Sequence, residues 1–116
     1  MIISAMFLNS LNKNNYIIVT VSGNLDAETY KKFTNSLLAK VKEPKDILLD
    51  MSELRYISSA GLRGVLVVAK ELDKKGKKFI LYGLNEQVRN IFNVSGFNQI
   101  LPLFDNLESA TQYLKD

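Results

Sequence analysis

The sequence predicts a single α/β domain across residues 1–116, with a mixed, mostly parallel sheet of four or five strands, about four flanking helices and an N-terminal β-hairpin. Three observations predict this fold. Short apolar, β-branched runs alternate along the chain with longer segments whose apolar residues recur at helical spacing. Glycine, proline, asparagine or aspartate separates most of these segments. A chain of 116 residues also fits one domain with its own core.

The first third of the chain predicts a hairpin and an amphipathic helix. Residues 2–8 form an apolar strand, and the asparagine-rich stretch Asn9–Asn15 a polar turn. Tyr16–Ser22 alternates apolar and polar residues as a half-buried strand does. Gly23-Asn24 breaks the strand, and Asp26 caps the next helix, with Glu28 in its first turn. That helix carries apolar residues on one face, namely Tyr30, Phe33, Leu37, Leu38 and Val41.

The rest of the chain alternates strand and helix. Predicted strands cover Asp46–Asp50, Phe79–Tyr82 and Ile100–Phe104, the last at a sheet edge because it contains Pro102. A polar loop after Asp50 leads to a helix that begins at Ser58-Ser59, runs to about Lys75 and is closed by Gly76. Asn85 caps a third helix, which ends at Ser95-Gly96. Asn106 caps a fourth, with Leu107, Ala110 and Leu114 facing inward.

Composition excludes several classes of function. The chain contains no cysteine and no histidine, so disulfides, thiolate nucleophiles, serine–histidine catalysis and histidine-based zinc sites are ruled out. A carboxylate or lysine mechanism stays open, but we expect no enzyme activity and no cofactor. The N-terminus lacks the positive region of a signal peptide, and no apolar run is long enough to span a bilayer, so we expect a cytoplasmic protein.

The densest basic run covers Lys70–Lys78, where five lysines are interrupted by Glu71 and Asp73. A solvated helix end is the favoured interpretation, because cations suit the negative pole of a helix dipole. A nucleic-acid patch is the alternative. The net charge of only +3 does not favour it, so we expect no nucleic-acid partner.

Residues 56–64, with the sequence YISSAGLRG, are the most informative part of the chain. Ser58 and Ser59 lie at the predicted start of a helix, where a phosphate group is well tolerated. The bland interpretation is that Ser58 is a helix cap and Ser59 has no further role. Gly61 and Gly64 are three residues apart in a helix that alanine would favour, so together they indicate a close approach by another backbone, within the chain or from a partner.

Several acids and hydroxyls follow the predicted strands. Asp26 follows the second strand, Asp50 and Ser52 the third. Loops at the carboxyl ends of parallel strands share one sheet edge, so these residues could meet Ser58 and Ser59 there. A weak divalent-cation site is a minor alternative, because the spacing matches no known oxygen-ligand loop and we expect no metal.

The chain resembles the STAS domain, and within that family the bacterial anti-sigma factor antagonists. Three segments carry the resemblance: Gly23-Asn24-Leu25-Asp26; Asp50-Met51-Ser52 with residues 56–62, YISSAGL; and the later Gly76-Lys77-Lys78 with residues 88–97, VRNIFNVSGF. The family often has aspartate where this chain has Ser58. The substitution removes a negative charge and adds a second hydroxyl.

The resemblance implies a partner-switching protein. Such an antagonist binds an anti-sigma factor that is a serine/threonine kinase, and this binding releases a sigma factor. The kinase then phosphorylates a serine on the antagonist, and the complex separates. A PP2C-type phosphatase restores binding. By this resemblance Ser59 is the phosphoacceptor, with Ser58 a minor candidate. The expected partner-binding surface contains these residues: Asp26, Ser58, Ser59, Gly61, Leu62 and Gly64.

Two alternatives remain from the sequence. One is a stand-alone STAS subunit of a membrane lipid ABC transporter, bound to its ATPase without a phosphoswitch. The other is a nucleotide-binding or weakly hydrolytic module using Asp26 and Ser59, which the absence of a glycine-rich phosphate loop disfavours.

Overall fold

A computed structural model describes residues 5–115. Five strands form one sheet in the order β1-β2-β3-β4-β5. The strands are β1 (Met6–Asn12), β2 (Tyr16–Leu25), β3 (Asp46–Ile57), β4 (Phe79–Tyr82) and β5 (Leu103–Phe104). β1 pairs antiparallel with β2, and all other pairs are parallel. The predicted fold class and hairpin are thus confirmed.

The helices are α1 (Tyr30–Val41), α2 (Ser59–Lys74), α3 (Glu86–Ser95) and α4 (Leu107–Lys115), with a short 3₁₀ turn at Phe97–Gln99. The predicted caps of the last two helices are confirmed. The Asn85 side chain accepts a hydrogen bond from the backbone of Val88 at 2.8 Å, and Asn106 accepts one from Ser109 at 2.8 Å. These asparagines fix where each strand-to-helix connection ends.

Two hydrophobic clusters lie on opposite faces of the sheet. The larger joins the sheet to α1, α2 and α3 and includes Phe33, Val65 and Phe92, each fully buried. The smaller contains Ile18, Leu48, Ile80, Tyr82 and Ala110, which pack α4 onto the other face. β4 and the Ile47–Leu49 part of β3 are therefore covered on both faces, as their continuous apolar runs predict.

The first two strands extend further than predicted. β1 continues to Asn12, so the polar turn spans only residues 13–15, and residues 2–4 of the predicted strand lie outside the described range. The second half of β1 contains the polar residues Asn9, Ser10 and Asn12, and polar residues on an edge strand conceal it in the sequence. Gly23-Asn24 does not break β2: Gly23 adopts a φ of +91°, and its position leaves no room for a Cβ beside the Ala5 carbonyl.

The predicted polar loop after Asp50 is wrong, because β3 runs on to Ile57 and stays paired with β2. Register shifts occur between Thr20 and Ser22 and between Gly23 and Asn24. Along this part of β3 every third residue is buried, Met51, Leu54 and Ile57. A strand with irregular pairing loses the two-residue alternation by which a sequence reveals it.

Three smaller predictions also fail. α1 begins at Tyr30, so Asp26 caps the preceding turn and Glu28 lies in that turn. The predicted strand Ile100–Phe104 is reduced to Leu103–Phe104, at the sheet edge as expected. Leu107 is 39% exposed and does not face inward.

Candidate functional site

The two serines occupy different environments at the start of α2. Ser58 is the N-cap: its hydroxyl accepts a hydrogen bond from the Gly61 backbone at 3.2 Å, and its own N–H donates to the Leu25 carbonyl at 2.9 Å. Ser59 is the first helical residue and is exposed. Within residues 5–115 its hydroxyl makes no hydrogen bond. Ser58 therefore holds the backbone in place, and Ser59 presents its oxygen to solvent.

The glycines of α2 allow the helix to sit close to its neighbours. A Cβ at Gly61 would meet the Leu25 carbonyl oxygen and approach Ile57 Cγ1 to 2.9 Å. A Cβ at Gly64 would lie 2.8 Å from Thr34 Oγ1 on α1. The close approach expected from the sequence is thus made within the chain. This close packing of α2 fixes the position of Ser59 relative to the end of β2.

The predicted surface residues do not all reach the surface. Gly61, Leu62 and Gly64 are buried, with Leu62 only 7% exposed. Gly64 still contributes to the floor of a groove between α1 and α2. These three residues support the site from beneath, whereas Asp26, Ser58 and Ser59 lie at its edge.

Asp26 organises the connection from β2 to α1. One carboxylate oxygen accepts hydrogen bonds from the backbone N–H groups of Glu28 at 3.0 Å and Thr29 at 3.3 Å. The Asp26 N–H donates to Thr29 Oγ1 at 2.9 Å, and that hydroxyl donates to the Asn24 carbonyl at 2.8 Å. Because the Ser58 N–H donates a hydrogen bond to the Leu25 carbonyl, the turn that Asp26 organises lies next to the start of α2.

Asp50 and Ser52 do not join this site. The Asp50 carboxylate accepts hydrogen bonds from the Ser52 N–H at 2.9 Å and hydroxyl at 2.7 Å. Because β3 continues as an extended strand to Ile57, Asp50 lies roughly 20 Å from the start of α2. Among residues 5–115 there is no group of three or more acidic side chains placed to hold a metal ion. The convergence expected from the sequence is therefore wrong for these two residues.

Three residues of the groove between α1 and α2 were not predicted from the sequence as part of the site. Lys31, Arg63 and Val67 line the groove between α1 and α2 together with Ala60 and Gly64. Arg63 is exposed, and Val67 is 41% exposed. Arg63 lies one turn after Ser59 on the same face of α2 and is therefore its neighbour, whereas Val67 lies one turn further along. The signal available in the sequence was Val67, an apolar residue that does not fall on the apolar face of this amphipathic helix.

The family model of the STAS domain matches residues 9–110. The chain belongs to the STAS domain family. The protein BtrV of Bordetella bronchiseptica is 36% identical over 100 residues, covering 85% of this chain and 86% of BtrV. The anti-sigma-B factor antagonist of Listeria monocytogenes is 32% identical over 90 residues, covering 76% of this chain and 78% of that protein.

Solved STAS structures share the fold. An anti-sigma factor antagonist from Mycobacterium paratuberculosis has a TM-score of 0.88 at 20% identity, covering 97% of this chain and 96% of that one. The antagonist SpoIIAA in its unphosphorylated form has a TM-score of 0.79 at 19% identity, with 96% of both chains covered. Bacillus SpoIIAA in its phosphorylated form has a TM-score of 0.70 at 19% identity, covering 95% of this chain and 99% of that one.

No helix within residues 5–115 combines the length and the apolar character needed to cross a membrane.

Proposed function

We propose that this chain is an anti-sigma factor antagonist that binds an anti-sigma factor serine/threonine kinase through the surface around Ser59. In this proposal the kinase phosphorylates Ser59, the complex separates and the kinase binds the sigma factor again. A PP2C-type phosphatase then removes the phosphate, and the antagonist can bind the kinase once more. The protein itself catalyses nothing. The relatives named as antagonists support the role, and the environment of Ser59 supports the residue.

The contrast between the two serines carries the assignment. The Ser58 hydroxyl is half-buried and occupied by the Gly61 N–H, whereas Ser59 is exposed at the positive end of α2. A phosphate on Ser59 adds a charge of about −1.5 to −2 without displacing a native hydrogen bond. Near a helix N-terminus that charge is tolerated by the fold. Its effect then falls on the docked partner, where a surface shaped for a hydroxyl meets a dianion.

Binding of the cognate kinase tests the proposal. We expect Ser59→Asp to weaken kinase binding at least about 100-fold, a loss of about 2.7 kcal/mol, with little change in melting temperature. Ser59→Ala should bind and remain bound when ATP is added. Gln112→Glu adds one negative charge on exposed α4 and serves as the control; it should bind as the wild type does.

Site mapping after incubation with kinase and ATP separates the two serines. Ser58→Ala should still acquire a phosphoryl group, and Ser59→Ala should not. If Ser59→Asp and Ser59→Ala both bound the kinase and released it like the wild type, the switch would not be at Ser59. Binding to a lipid-transporter ATPase, with no effect of either substitution, would support the transporter alternative instead.

A further inference from the structure

Basic side chains are concentrated at the end of the molecule opposite Ser59. Residues 13–15, 40–46 and 70–78 contain nine lysines, four acidic residues and no arginine, a net charge of +5. The other residues of the range 5–115 carry six basic and seven acidic side chains. Hydrogen bonds join the three segments: Lys45 Nζ donates to the Lys13 carbonyl at 2.7 Å, and the Lys78 N–H to the Asp46 carboxylate at 2.7 Å.

This end also contains a groove with an apolar floor. It runs between the second half of α2, the start of β4, the segment before β5 and α4. Its apolar lining includes Leu66, Ala69, Phe79, Ile100, Pro102 and Tyr113. Ile100 is 65% exposed and Tyr113 39%. A solvated helix end has no apolar floor, so that interpretation of the lysine run Lys70–Lys78 does not account for this groove.

The rim of the groove is positively charged. Lys70, Lys77 and Lys78 line it, with Asp73 as the single acid. The Lys78 ammonium lies 4.8 Å from the centroid of the Tyr113 ring, so its charge is held beside an apolar surface. Apolar side chains in a cleft between cations complement a peptide that carries apolar anchors and carboxylates.

We propose that this basic groove binds an acidic peptide segment with apolar side chains, supplied by a partner protein, as a second docking surface separate from the one around Ser59. Shape and charge both favour this occupant. A concave apolar floor accepts inserted side chains, which a flat membrane surface does not supply. The absence of arginine removes the side chain best suited to paired hydrogen bonds with phosphates and base edges, so nucleic acid fits less well.

The second surface is distant from the phosphorylation site. Along α2, Ser59 and the first lysine of the groove, Lys70, are separated by 11 residues, which is about 16 Å of helix. At physiological ionic strength exposed charges are screened beyond about 8 Å. A phosphate on Ser59 therefore leaves the basic groove unchanged. The antagonist would stay attached to one partner while it binds and releases another.

Titration of the labelled protein with a defined peptide tests the groove. The probe is a synthetic amphipathic peptide with leucine and phenylalanine anchors and glutamate at its remaining positions; a second peptide has glutamine in place of glutamate. We expect amide NMR shifts confined to the second half of α2, the start of β4, the segment before β5 and α4, and a Kd tighter than about 1 mM for the acidic peptide. The glutamine peptide should bind at least about tenfold more weakly.

Matched variants separate a specific groove from general attraction between charges. Lys70→Glu with Lys77→Glu should weaken peptide binding at least about tenfold. Lys31→Glu with Lys32→Glu makes the same change in net charge on exposed α1 and should leave the affinity within about twofold. Ile100→Ser, at a residue 65% exposed, should weaken binding without affecting folding. Ser59→Asp should have no effect.

Several results would overturn the inference. Equal losses in both lysine pairs would show that only net charge matters, and equal affinity for the two peptides would remove the acidic requirement. Absence of NMR shifts at about 1 mM peptide would mean that the groove does not bind this class of ligand. Stronger binding to phosphatidylserine vesicles than to the peptide, lost in Lys70→Glu with Lys77→Glu, would assign the surface to membranes. None of these outcomes bears on the proposed switch at Ser59.

Discussion

At the scale of single residues, the position of the Ser59 hydroxyl depends on glycine. Gly61 lies against the Leu25 carbonyl and Ile57, and Gly64 against Thr34. The two neighbours differ in how far they can move. The carbonyl belongs to a paired strand and is fixed, whereas the threonine is a side chain on the facing helix. The two glycines therefore differ in tolerance, although they look equivalent in the sequence.

We predict that Gly61→Ala lowers the free energy of unfolding by about 1–3 kcal/mol, even though alanine favours helix by roughly 1 kcal/mol over glycine. Gly64→Ala should lose less, and Thr34→Ala should restore the loss because it removes the atom 2.8 Å from the added Cβ. Urea unfolding gives the free energy of unfolding of Gly61→Ala, of Gly64→Ala and of Gly64→Ala combined with Thr34→Ala. If Thr34→Ala rescued Gly61→Ala to the same extent, the distinction between a backbone and a side-chain neighbour would be wrong.

A second residue-scale property is the ionisation of Tyr82. Burial raises the pKa of the Tyr82 hydroxyl above its ordinary value of 10.0, and the adjacent Asp50 adds to the rise through its charge and hydrogen bond. The residue is 6% exposed and belongs to the cluster beneath α4. The folded state thus keeps a proton that the unfolded chain releases at alkaline pH.

We predict that the free energy of unfolding falls as pH rises above about 10. Below that pH both states hold the proton. Above it the unfolded state loses the proton first, so the unfolded state binds fewer protons and stability decreases with pH. Tyr82→Phe should flatten this part of the stability curve. Tyr56→Phe, at a residue 45% exposed, is the control. An unchanged alkaline slope in Tyr82→Phe would contradict the assignment.

At the scale of helices and strands, the sequence revealed those elements whose pattern is local. α2 was predicted from its serine cap to Gly76, and β4 with the bounds it has, because capping residues and apolar periodicity act within a few residues. The second half of β3 was not predictable. Its pairing with β2 depends on contacts between distant parts of the chain, and its register shifts remove the alternation.

The candidate site divides in the same way. The helix cap at Ser58 was predicted from a local motif, and the structure places Ser58 and Ser59 in different environments. The burial of Gly61, Leu62 and Gly64 and the separation of Asp50 from Ser58 depend on how α2 packs and how far β3 extends. Arg63 and Lys31 meet in one groove only because α1 and α2 lie side by side. A sequence contains these residues but does not show which face one another.

At the scale of the whole molecule, the sheet separates two layers of unequal size. α1, α2 and α3 cover the large cluster, and α4 alone packs against the smaller one. α2 has six buried residues, whereas the described part of α4 has one, Ala110. Since helix stability in proteins comes mainly from packing, α4 is the helix least tied to the fold.

We therefore predict that α4 opens without unfolding the rest of the domain. In native-state hydrogen exchange, α4 amides should show lower protection than those of α2, which should exchange only through global unfolding. Ala110→Gly should reduce protection in α4, by about 1 kcal/mol from helix propensity alone, and leave α2 nearly unchanged. Equal protection in both helices, reduced equally by this substitution, would instead show one cooperative unit. The surface around Ser59 packs on the large hydrophobic cluster, so local opening of α4 should leave kinase binding intact. The basic groove is lined by Tyr113 of α4, so its affinity for the peptide should fall when α4 opens.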